Sequence, residues 1–376
     1  MLKRFKSSKA NSVSKGNSKN DRRKRLRLES LECRRLLAGD VGVDVVEGNL
    51  LIRGDRLSNG IEIRQVQDDS GAFVIRGLVS EDGDVTTVNG EESVTVEGVT
   101  GNVLAGMGAG DDVIYIHDAD LPRNLIVNTG GGADTVLIGG LPRGDAPVPE
   151  PLPPEQIDAA LAAADVEGVP GDPTPVDPSP ILPVPNVTIA GTARITTAAG
   201  QDRIGMGSVD VGRDLVINTG RHDDFLTLGL NELPGPIDDA AVRVVDGIPG
   251  ISLALAVHGS MRLSTGRGAD SAWLESVHVD QNFRANLGFG DDVFAFDWGA
   301  VAGKTEVYGA RGNDIIALAH LKTEQIAIRA GRGDDGVGLA GVKAGRIGVG
   351  MGSGNDQMRV ANTAARVARF HGGAGL

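Results

Sequence analysis

A chain of 376 residues with 3% aromatic side chains and 55 glycines must fill its core with small and aliphatic residues, which excludes a large irregular interior built on aromatics. Its net charge of −13 hides a division, because residues 1–40 hold 13 Lys+Arg against 4 Asp+Glu and the remainder holds 24 against 46. An acidic body argues against nucleic acid and anionic membranes as its partners, the lone Cys33 excludes an intrachain disulfide, and no apolar run reaches the ~18 residues of a membrane-spanning helix.

Residues 1–40 read as a basic arm. Residues 1–28 are so rich in Lys, Arg, Ser and Asn that they cannot bury enough apolar area to fold, and disorder is expected there. The arm lacks the ~7–15-residue apolar core of an ordinary secretory signal peptide, so composition leaves the compartment open. The stretch RLRLESLECRRLLAGD, residues 25–40, resembles the LEPR-XLL segment found near the N-terminus of large planctomycete surface and secreted proteins. Leu31, Glu32, Arg34, Leu36 and Leu37 match, and Cys33 stands where that motif has proline. The resemblance implies export or surface display; a generic basic tail or nucleic-acid arm is the alternative, and the acidic body makes it less attractive.

Residues 41–100 read as the irregular first coils of a repeat. NLLIRGDRLSNGIEIRQV alternates apolar and polar residues, with Asn59 where a later aspartate would stand. From residue 101 one phrase recurs, as in GFGDDVFAF, GARGNDIIAL and GRGDDGVGL. Aligned on its last acidic residue, it gives Asp112, Asp134, Asp202, Asp224, Asp270, Asp292, Asp314, Asp335 and Asp356, with gaps of 22, 68, 22, 46, 22, 22, 21 and 21. Glycine stands two residues before each aspartate except Asp224, where His222 replaces it.

Such a period marks a solenoid. Apolar residues two and four after the aspartate (Ile114/Ile116, Phe294/Phe296) and nine and seven before it (Leu125/Val127, Ile326/Ile328) alternate with the period of a strand. A weaker third pair comes seven and nine residues after it, as in Val209/Val211. Three short strands per period predict an all-β fold, a right-handed parallel β-helix of about 22-residue coils over 101–376. Glycine supplies φ > 0 at the sharp turn, the aspartate is expected to bond amides of its own turn, and the repeats should stack their aspartates in one column roughly 4.8 Å apart.

The two long gaps predict excursions. Residues 141–186 are rich in proline and alanine, which bars a central strand and suggests one short helix near 155–165 between extended flanks. A second excursion or degenerate coil is expected at about 229–252. Near the C-terminus, Phe370, Gly373 and Gly375 begin another phrase without its aspartate, which predicts either a longer repeat protein or an open end that docks on a second copy.

The phrase G-x-G-x-D-x-U-x resembles the calcium-binding nonapeptide of RTX, or haemolysin-type, repeats. The positions of the first glycine in that pattern carry Met107, Thr129, Thr219 and Thr265, and the period is 21–22 rather than nine residues. The resemblance implies calcium held between the nine aligned aspartates, Asp112 through Asp356, and turn carbonyls. A stacked column of like charges is an independent reason to consider a cation; the competing reading is that each aspartate caps a turn. Three Arg-Gly-Asp tripeptides and six scattered histidines are consistent with composition alone, and no metalloprotease, nucleophile-elbow or Walker-type motif is present.

The sequence therefore predicts a non-enzymatic secreted or cell-surface rod with a structural or adhesive role, with calcium ions and surface or matrix components as partners, no nucleic acid and no membrane span. The alternative is a β-helical polysaccharide lyase or glycosidase, which needs paired carboxylates on a groove and aromatic sugar platforms. The aromatics are too few to line a groove, and Trp273, Trp298 and Tyr308 could make one local patch at most.

Overall fold

The computed structural model describes residues 39–66, 71–79, 84–139, 187–229 and 255–373. The chain divides into two units, Met1–Leu36 and Leu37–Leu376, and the described strands lie in the second. The expectations of a disordered arm, a helix near 155–165 and the nature of both excursions lie outside the described residues.

The described residues are all-β, in an 18-stranded and a 12-stranded sheet, with no helix among them. From Val103–Ala109 onward every named strand pair is parallel, with partners one repeat apart. Leu125 pairs with Val103 and Ala193, and Thr135 pairs with Val113 and Arg203. Three ladders result. One stacks strands such as Leu125–Gly131 and Met261–Arg267; a second stacks Thr135–Gly139 and Ser271–Glu275; a third stacks short strands such as Val187–Ile189 and Val209–Val211. From Ala300–Arg311 onward the third and first segments of adjoining repeats fuse into single long strands.

Alternation fixes which side chains enter the core. Val127, Val136, Ile138 and their equivalents are all but inaccessible, and Phe283 packs on Phe294 and Phe296 at ring separations of 5.8 and 5.3 Å. Small glycines keep the turns close. At Gly290 φ is +134°, and a Cβ there would lie 1.7 Å from the carbonyl oxygen of Gly268 in the preceding repeat. The N-terminal strands differ. Asp40–Val46 pairs antiparallel with Asn49–Arg53, and Phe73–Gly77 pairs antiparallel with Gly60–Gln65.

The corner between the second and third ladders has no counterpart in the sequence expectations. It consists of one residue in the left-handed region: Asp118, Ser208, Ser276, Trp298, His320 and Asn362 have φ between 44° and 55°. Each stands six residues after its repeat aspartate, and only Asp118 and Asn362 belong to the types that favour this conformation. A one-residue corner lets the chain change ladder without lengthening the repeat.

Candidate functional site

The nine repeat aspartates form one continuous ladder. Each of the first eight donates its backbone N–H to Oδ1 of the aspartate one repeat further on, from Asp112 to Asp134 (2.9 Å) through Asp134 to Asp202 (2.9 Å) and on to Asp335 to Asp356 (3.1 Å). Asn59 extends the ladder backwards, donating to Asp112 at 2.8 Å. The direction differs from the sequence expectation: the carboxylate caps the neighbouring repeat's turn rather than its own. Parallel stacking leaves each turn amide pointing along the stack, and the inward carboxyl of the next repeat is the acceptor in line with it.

Eight of these side chains, Asp112 to Asp335, are at least 98% buried, and none of their Oδ2 atoms has a hydrogen-bond donor. Burial therefore dominates their titration, raising Asp292 to about 8, Asp112, Asp224 and Asp314 to about 7, and Asp270 and Asp335 to about 6. Asp134 and Asp202 are raised for the same reason. Thr129, Thr197, Thr219 and Thr265 stand beside the carboxyls of Asp134, Asp202, Asp224 and Asp270. Three of those hydroxyls already donate to the next repeat, Thr197 to the Thr219 carbonyl, Thr219 to that of Thr265 and Thr265 to that of Leu287, at 2.6–2.8 Å. A threonine oxygen whose hydrogen is so committed can still accept one from a protonated carboxyl.

A second column lies outside. The residue before each buried aspartate is exposed, and at Asp111, Asp223, Asp291, Asn313 and Asp334 its side chain bonds in the opposite direction along the stack. Oδ1 of Asp291 accepts from Asn313, that of Asn313 from Asp334 and that of Asp334 from Asn355, at 2.7–2.8 Å. A third set at the opposite corner uses Asn102, Asn124 and Asp214 in the same way.

A calcium ion would need six to eight oxygens converging at about 2.3–2.6 Å. The buried ladder gives one oxygen of each carboxyl to an amide, and no group of three or more His, Cys, Asp or Glu among the described residues is arranged to hold a metal. The ladder therefore does not fit the coordination shell that the RTX resemblance implies.

The one aromatic patch that the sequence left open does not form. Trp273 lies on Ser271–Glu275 in the 12-stranded sheet while Tyr308 lies on Ala300–Arg311 in the other. Trp298 stacks instead on His320, one repeat on, at 4.3 Å. The histidines are less scattered than the sequence suggests: His258 bridges Asp210 and Asp280 at 3.1 and 2.8 Å, and His278 reaches Asp280 at 3.1 Å. The 22-residue offset between positions 258 and 280 was the available signal.

Residues 22–41 match the family model described as planctomycete extracellular. The match covers the arm and supports a secreted or cell-surface location for the chain. No helix among the described residues is long and apolar enough to cross a membrane. No curated protein and no solved structure matches the chain.

Proposed function

We propose that this is a non-enzymatic secreted or cell-surface protein with a structural or adhesive role, built as a right-handed parallel β-helix of 21–22-residue coils. The observation that carries the reading is the commitment of the repeat aspartates: each gives Oδ1 to the amide of the adjacent coil, so the most regular chemistry in the chain serves stacking. A glycosidase needs two carboxyls about 5–10 Å apart, flanking a bound sugar and free to exchange protons with it. Here the repeated carboxyls face the interior. Incubating the purified protein with a panel of neutral and acidic polysaccharides and monitoring chain length tests this reading; sustained turnover would overturn it.

A calcium-dependent version is the second reading, favoured by the eight buried Oδ2 atoms without a donor. Protonation removes the charge from the same carboxyls without requiring six ligands. Melting curves with millimolar calcium and with chelator separate the two, since a ligand that prefers the folded state raises Tm by mass action. No difference between the curves leaves protonation as the state of the ladder.

A further inference from the structure

The acidic composition of the body conceals a basic face. On the outward side of the 18-stranded sheet, register places Arg221 beside Arg267, Arg267 beside Phe289, Phe289 beside Arg311 and Arg311 beside Arg332. A neighbouring column runs Asn286, Tyr308, Arg329, and a third runs Arg262, Arg284, Glu306. Arg267 and Arg311 lie over the Phe289 ring at 5.5 and 5.1 Å, and Arg284 and Arg329 over the Tyr308 ring at 4.7 and 5.5 Å. Among the described residues only Arg284 of these arginines has an ion pair, with Glu306 at 4.0 Å. A cavity of about 340 Å³ between Arg262, Arg284, Lys304 and Glu306 opens beside the columns.

We propose that this face binds a linear anionic polysaccharide, through sulfate or carboxylate groups laid along the arginine columns. Placing Arg221 beside Arg267 and Arg311 beside Arg332 at a strand spacing of roughly 4.8 Å, with no ion pair to any of the four among the described residues, is unfavourable until an anion is bound. The adjoining turn carries Asp223, Asp291 and Asp334, but their Oδ1 atoms accept amide hydrogens of the next repeat, and none pairs with these arginines. The two aromatic rings act as posts. Guanidinium groups lie against them, which holds the forks outward for bidentate contact with sulfate or carboxylate.

The same detail disfavours nucleic acid. Phe289 and Tyr308 are engaged by arginine and are not open platforms for base stacking. Double-stranded DNA carries a charge every ~1.7 Å, so the acidic remainder of the body repels it more strongly than a glycan whose charges are spaced further apart. The extracellular match puts polysaccharide within reach. The inference rests on the surface-protein reading for location only.

The test is titration of the full chain with fluorescent heparin, polygalacturonate, neutral dextran and a duplex of about 20 base pairs in roughly 100 mM salt. Binding to heparin or polygalacturonate but not to dextran is expected, weakening as salt rises. Paired charge reversal, R267E with R311E, should weaken binding by about tenfold or more. R359E with R64E, two exposed arginines in the other sheet, should leave binding unchanged and matches the change in net charge. Circular dichroism confirms that both variants are folded. No binding to either acidic glycan, equal or tighter binding of the duplex, or equal loss with R359E and R64E together would overturn the proposal. Shortening of a bound glycan would uphold the binding face and overturn the non-enzymatic reading instead.

Discussion

The backbone N–H of Asp292 donates across 3.1 Å to Oδ1 of Asp314, one repeat away, while Oδ2 of both carboxyls stays buried without a donor. The pair shows how one side chain can hold a stack together and still carry a proton. An ionised column at this spacing would place uncompensated charge inside the protein, and protonation removes that cost while keeping the Oδ1 acceptor.

Stability should therefore fall as pH rises. Asp292 is pushed up to about 8 and Asp314 to about 7 by burial, against an ordinary value of 3.8 in the unfolded chain. Folding takes up protons above about pH 4, so the contribution is complete below that pH and is lost as pH climbs through about 6–8. Calorimetry in chelator-containing buffer should give a higher Tm at about pH 5.5 than at about pH 8.5. A Tm that rises with pH over that interval would mean that the column is ionised and compensated.

Replacing both residues by asparagine, D292N with D314N, should weaken that pH dependence without abolishing it, because the amides keep an oxygen acceptor for the backbone N–H of residues 270 and 292 and do not ionise, while the six other buried aspartates still titrate. D292A removes the acceptor altogether, leaving the buried Asp270 N–H unpaired, at about 1–3 kcal/mol. Urea melts at about pH 6 separate the two effects: near-wild-type stability for the amide pair and clear loss for alanine. Equal loss in both would show that the carboxyl proton itself makes a bond that asparagine cannot replace.

Much of the stack is legible in the sequence. Period-two pairs such as Leu125/Val127 and Val209/Val211 lie in strands, and the interval between Asp270 and Asp292 becomes a strand register because one turn glycine and one inward carboxyl recur in each repeat. Asn59 substitutes for an aspartate and takes its place in the ladder. The one-residue corner is hidden because Trp298, Ser276 and His320 carry no turn signature; the stack imposes their φ. The basic face is hidden because Arg267, Arg311 and Arg332 are distant in a mostly acidic chain, and only the register brings them into one column.

The glycine turns should be intolerant of a single methyl group where the stack is tight. At Gly312 φ is +129°, and a Cβ would lie 1.7 Å from the Gly290 carbonyl oxygen. G312A should cost about 2–4 kcal/mol through strain and forced separation of the repeats. G350A, where nothing lies within 4 Å of an added Cβ, should change stability by about 0.5 kcal/mol or less. Similar losses in both, measured by chemical denaturation, would contradict the close backbone approach.

The last prediction removes the longest interruption. The repeats that hold Asp134 and Asp202 stack directly, Leu125 on Ala193 and Thr135 on Arg203, although 68 residues separate the two aspartates. Gly139 pairs with Gly207, and Val187 pairs with Ala119 and Val209. In the neighbouring repeats the matching positions are separated by one left-handed residue, Asp118 between His117 and Ala119 and Ser208 between Gly207 and Val209. Residues 140–186 should therefore be replaceable by a single asparagine, a residue that accepts that conformation. The shortened chain should keep the β-sheet circular dichroism signal and unfold at a Tm equal to or above the parent's, since closing a long loop no longer costs entropy. A collapse of the β signal would mean that the segment between Gly139 and Val187 supplies contacts the stack requires.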